Sequence, residues 1–83
     1  MDNQYEEKLA AALNEVAVEV KRAKGLFPAN FVNQHEGYAV LKEEVEEFWD
    51  EVKKNQRNYD MQAQRKEATQ VAAMALRILV ELV

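Results

Sequence analysis

The segment KEEVEEFWDE, Lys42–Glu51, carries six carboxylates in ten residues, interrupted by valine, phenylalanine and tryptophan. Carboxylates at such density do two kinds of chemistry. They solvate a helix face, or they converge on a divalent cation. At about 100° per residue, a helix through this segment places Glu44, Glu47 and Glu51 together on a flank about 60° wide. That flank borders an apolar stripe of Tyr38, Leu41, Val45, Phe48 and Val52, whereas Glu43, Glu46 and Asp50 point further toward solvent. Like charges at these spacings cost only a few tenths of a kcal/mol per pair. A surface tolerates that, so repulsion alone does not demand a cation.

A second acidic position is more demanding. Glu67 falls in line with Val71, Met74 and Ile78, at the centre of the inward face of a later helix, with Gln70 about 60° to one side. A carboxylate there must be paired, protonated or bound to a cation, because burying it bare costs several kcal/mol. Two readings stay open: a salt bridge to Arg65, Arg77 or Lys8, or convergence with Glu44 and Glu47 on a metal. Three carboxylates and an amide oxygen from Gln70 form a hard-oxygen set suited to Mg2+ or Mn2+, ions that bind alongside substrate phosphates.

These residues need elements to position them, and the pattern predicts an all-α chain of three helices. The first runs from about Gln4 to Lys24 behind an Asp2 or Asn3 cap, with Leu9, Leu13, Val16 and Val20 on one face. Gly25 is expected to stop it in a left-handed conformation, and Pro28 excludes easy continuation. In the connector GLFPANFVN, Phe27 and Phe31 are expected to plug the end of the core. The functional alternative is that one of them stacks on a planar ligand. The second helix begins near Gln34, capped by Asn33 with Glu36 completing a capping box. The third begins near Asp60 and is apolar nearly all round from Val71 onward, more than two neighbouring helices can cover. Trp49 and Met74 read as core or subunit interface, and His35 as an ordinary first-turn residue.

Composition narrows the class. Eighty-three residues make a single domain, 1–83, that buries only about 60% of its unfolded surface, which favours oligomerisation. There are no cysteines and one histidine, so a Cys/His zinc cluster is excluded. The net charge of −4 argues against nucleic acid as a partner. The start MDNQYEEK lacks the basic n-region of an export signal, and no apolar run reaches the roughly 20 residues of a membrane span. The expected location is therefore cytoplasmic, away from the membrane.

Together the residues resemble the MazG-like, all-α nucleoside triphosphate pyrophosphohydrolases, whose signature is EExxE on one helix and ExxD on the next. The first half stands as Glu43-Glu44-Val45-Glu46-Glu47. The second stands as Glu67-Ala68-Thr69-Gln70, with glutamine where the family usually has aspartate. The stretches HEGYAVLKEEVEEFWDEVKK and KEATQVAAMALRIL look like short single-module members, so residues 27–83 carry the resemblance. It implies a three-helix protomer assembling four-helix-bundle dimers or tetramers. It also implies Mg2+-dependent cleavage of a (d)NTP to a monophosphate and pyrophosphate, a house-cleaning of nucleotide pools. Carried over by position, Glu44, Glu47 and Glu67 are Mg2+ ligands, Gln70 takes the place of the aspartate ligand, and Glu43 or Glu47 activates water. Among the basic residues Lys53, Lys54, Arg57, Arg65 and Lys66, Lys54 and Arg57 are the preferred phosphate contacts. Because Gln70 removes a full negative charge, the alternative is a weakened or inactive member acting as a nucleotide-binding or oligomeric interaction module.

Overall fold

The computed structural model describes residues 2–54 and 59–83 and consists of three helices: α1 Asn3–Leu26, α2 Gln34–Val52 and α3 Met61–Glu81. Each starts where a short polar side chain satisfies otherwise orphaned first-turn amides. Asp2 Oδ1 accepts from the Tyr5 N–H at 2.8 Å, Asn33 Oδ1 from Glu36 at 3.0 Å, and Asp60 Oδ1 from Gln62 at 3.0 Å and Ala63 at 3.1 Å. The Glu36 carboxylate reaches back to the Val32 N–H at 2.9 Å, one residue before the cap, a displaced form of the expected capping box.

The first helix runs past its expected stop. Gly25 lies inside α1, and no described glycine has a positive φ. The helix ends at Leu26 and is capped by Phe27, whose N–H still donates to Ala23 O at 2.8 Å, because Pro28 disfavours helical backbone at the residue before it.

Helix α3 is the spine. It packs along α2 and along α1, while α1 and α2 do not come together. The core is a small cluster of Ala23, Phe31, Ala73 and Met74, against which Val16, Val20, Val40, Leu41, Ile78 and Leu82 pack. The inward line of α2 is rotated from the expected stripe. Tyr38 and Val45 are exposed, at 63% and 45%, and Gly37 is buried with Val40, Leu41, Glu44 and Phe48 beside it. Gly37 causes the rotation: a Cβ there would lie 2.9 Å from Leu82 Cδ1 and 3.2 Å from Ile78 Cγ1, so α3 approaches closest where α2 has no side chain.

The two aromatics of the connector part company. Phe31 is buried, as expected of a core plug, and Phe27 is 69% exposed. The radius of gyration is 14.2 Å, with extents of 39 × 32 × 22 Å. A compact chain of this length measures about 12 Å. Apolar side chains of α1 (Leu9, Leu13), α2 (Tyr38, Trp49) and α3 (Leu79, Val80) remain exposed on the protomer. No described helix is long and apolar enough to cross a membrane.

Candidate metal centre

Antiparallel packing of α2 on α3 brings the middle of one helix against the first half of the other. Glu44, Glu47 and Glu67 meet there, each offering a carboxylate oxygen within 4.8 Å of the others. Glu44 and Glu67 are half-buried and Glu47 is exposed, so the centre opens to solvent on one side. Glu51 is half-buried on the same flank, whereas Glu43, Glu46 and Asp50 are exposed, as the helical angles predicted.

The salt-bridge reading of Glu67 fails. Arg65 donates instead to Glu15 of α1, at 2.6 to 3.1 Å, and Arg77 is taken by Glu81. Lys8 sits on the exposed first third of α1 and forms no ion pair among the described residues. Glu44 Oε2 and Glu67 Oε2 are buried without a hydrogen-bond partner, and so is Nε2 of Gln64, one turn before Glu67.

The electrostatic result is an upward push on the two half-buried acids. Burial first, then the neighbouring charges of Glu47, Glu67 and Glu43, push the Glu44 carboxyl up to about 7. Glu67 is raised chiefly by burial and by Glu47, with Glu51 adding to the effect and Lys66 opposing it. Two orphaned carboxylate oxygens and a third acid beside them are the donor chemistry a hard divalent cation requires. The residues present fit such an ion.

Gln70 lies on the same side of α3, half-buried, and together with Glu43 and Glu44 it lines a groove of about 610 Å3 between α1 and α2, floored by Met74 and Arg77. The far end of that groove is walled by Phe27, Asn30, Phe31 and Val32 of the connector. The acidic centre and the groove are therefore contiguous, sharing Glu44.

Lys54 is paired with Glu51 at 2.9 Å, at the edge of the acidic centre, and Arg57 lies outside the described residues. His35 is exposed in the first turn of α2. Sequence reasoning missed the Arg77–Glu81 pair, although opposite charges four residues apart inside an apolar run were its visible signal. It also missed Gln64, which carries no distinguishing pattern.

Set against family models, curated proteins and solved structures, the chain matches none of them.

Proposed function

We propose that this chain is a divalent-cation-dependent nucleoside triphosphate pyrophosphohydrolase. It would use Mg2+, or Mn2+, to convert a (d)NTP and water into a monophosphate and pyrophosphate, and act as a homodimer or homotetramer through its exposed apolar faces. One observation carries the reading: Glu44, Glu47 and Glu67 converge with two buried oxygens unpartnered, and none of the three forms a salt bridge among the described residues.

Glu44, Glu47 and Glu67 would hold the ion, with the Gln70 carbonyl beside them. The bound ion supplies Lewis acidity at phosphate oxygens and makes water easier to deprotonate. The chain's own residues supply positioning and proton transfer, the main demands of phosphoanhydride hydrolysis. The groove takes the nucleoside, and the triphosphate extends over Glu44 toward the exposed side of the centre. Lys54, at that edge, steadies the departing phosphates. Water attacks the α-phosphorus, the bond to the bridging oxygen breaks, and pyrophosphate leaves with that oxygen. The proton of the attacking water passes to a carboxylate oxygen of Glu47, the exposed member of the cluster, or of Glu43 on the groove rim.

Pyrophosphate release across a panel of common and modified triphosphates tests this. Glu44→Gln should lower turnover by about 100-fold or more, since even residues that merely support metal ligands are worth 10–100-fold. Glu43→Gln should lower kcat with metal affinity kept if Glu43 takes the proton, whereas Glu47→Gln should lower both. No turnover of any triphosphate by the parent protein sinks the catalytic reading.

Gln70 favours a second reading, a non-catalytic nucleotide-binding or oligomeric module, because a neutral amide stands where the resemblance leads one to expect a carboxylate. Nucleotide binding without pyrophosphate release, with activity appearing in Gln70→Asp, would select it.

A further inference from the structure

The connector between α1 and α2 has irregular backbone, and its polar groups need partners that no regular element provides. Two residues in the last turns of α3 supply two of these partners through their side chains. Glu81 Oε1 accepts the Phe31 N–H at 2.8 Å, and Arg77 Nη2 donates to the Ala29 carbonyl at 3.3 Å. The pair is joined to itself by Arg77 Nε to Glu81 Oε2 at 2.7 Å and Nη2 to Oε1 at 3.1 Å. The guanidinium carbon stands 4.2 Å from the centre of the Phe31 ring. Lys24 of α1 adds its ammonium 3.7 Å from Glu81 and donates to Asn30 Oδ1 at 2.7 Å.

Both side chains of the pair are nearly inaccessible, at 7% and 4% exposure. Burying an ion pair contributes little compared with apolar residues of the same volume. An apolar pair would therefore hold α3 in place about as well. It could not accept the Phe31 amide or donate to Ala29. What the charges add is direction: they fix the backbone of the residues that form the far wall of the groove, and they lock the Phe31 ring beneath the guanidinium. Phe27, two-thirds exposed, is left as the free aromatic of that wall.

We infer that Arg77 and Glu81 form a latch that positions the connector wall of the groove, so that they act on the organic part of the substrate through Phe27 and Phe31 without touching the reacting phosphates. The inference rests on the reading that the nucleoside occupies the groove. Glu81 is a positioning residue, acting through the connector alone, whereas Arg77, almost wholly buried, also floors the groove; both are remote in role from the carboxylates that would hold the ion.

Two variants test it: Glu81→Gln, and the apolar pair Arg77→Met/Glu81→Leu, which keeps the packing should the single change fail to fold. In both, the triphosphate KM should rise about tenfold or more, the scale of losing one hydrogen bond to a charged group. The kcat should change less than about threefold, as expected when ground-state and transition-state binding are lost together. Binding of Mn2+ alone should be unchanged, and the Phe31 amide should exchange with solvent about tenfold faster. An unchanged KM in a variant whose Phe31 amide has become fast overturns the latch. So does a joint loss of KM, kcat and Mn2+ affinity, which marks general damage. If the parent turns over no triphosphate, the pyrophosphohydrolase reading fails separately, and the exchange arm decides: an unchanged Phe31 amide overturns the latch, and selective acceleration across 27–33 upholds it.

Discussion

Glu67 and Glu81 stand on the same side of α3, about four turns apart, and their chemistry is opposite. Glu67 meets two further carboxylates, keeps an oxygen buried without a partner, and has its carboxyl pushed up. Glu81 meets Arg77, the Phe31 amide and Lys24. The Arg77 hydrogen bond, aided by that amide against the cost of burial, holds its carboxyl below the ordinary range. One helix face thus carries a site left unsatisfied and a site fully satisfied. Partner geometry, rather than position on the helix, decides which carboxylate is structural and which is available to a ligand.

One substitution applied at both positions puts that contrast to the test. Glu81→Met should destabilise by about 3 kcal/mol, because it strands a buried guanidinium; chemical denaturation measures it. Glu67→Met should do the reverse and stabilise the metal-free protein by about 1 kcal/mol, the scale of relieving one unsatisfied buried polar group. It should also abolish Mg2+ binding by calorimetry. If both variants lose stability alike, the distinction between the two sites is wrong.

The pH dependence sharpens it further. Glu44 and Glu67 hold protons in the folded state that the unfolded chain has already released. Metal-free stability should therefore fall as pH rises from about 5 through about 7. Glu81 works in the other direction, its contribution being present above the ordinary carboxylate range and lost as pH falls through its depressed value. Thermal melts without metal should peak at about pH 5. Saturating Mg2+ should remove the decline above that pH, since ion binding requires the deprotonated acids. The smallest effect is expected at Arg65, bound to Glu15 on the exposed surface. Arg65→Gln should leave Mg2+ affinity unchanged and shift the melt only slightly, as exposed pairs do.

Much of this was legible in the residues. The three caps, Asp2, Asn33 and Asp60, place the helix starts because each accepts its own first-turn amides. The helical angles sorted Glu44, Glu47 and Glu51 from Glu43, Glu46 and Asp50. What the pattern misplaced has a common cause, the close approach of α3 to α2 at Gly37. Hydropathy ranks side chains, and a glycine contributes none, so the expected stripe takes in Tyr38 and Val45 at one edge, whereas the contact line shifts away from them toward Gly37 and Val40. Gly25 misled for the complementary reason: Pro28 already ends the helix, so no left-handed residue is needed. The Arg65–Glu15 pair and the reach of Arg77 and Glu81 to Ala29 and Phe31 depend on which elements adjoin, which no single helix pattern reveals; the Arg77–Glu81 pair itself lies one turn apart on α3.

All three candidate ion-holding acids belong to the α2–α3 hairpin, and among the described helices α1 packs only on α3. A transient opening that swings α1 outward would therefore strip the groove of one side while leaving the acidic centre assembled. In such a molecule, capture of the proposed ion and capture of the proposed organic ligand would be separable events, the second gated by the docking of a single peripheral leaf.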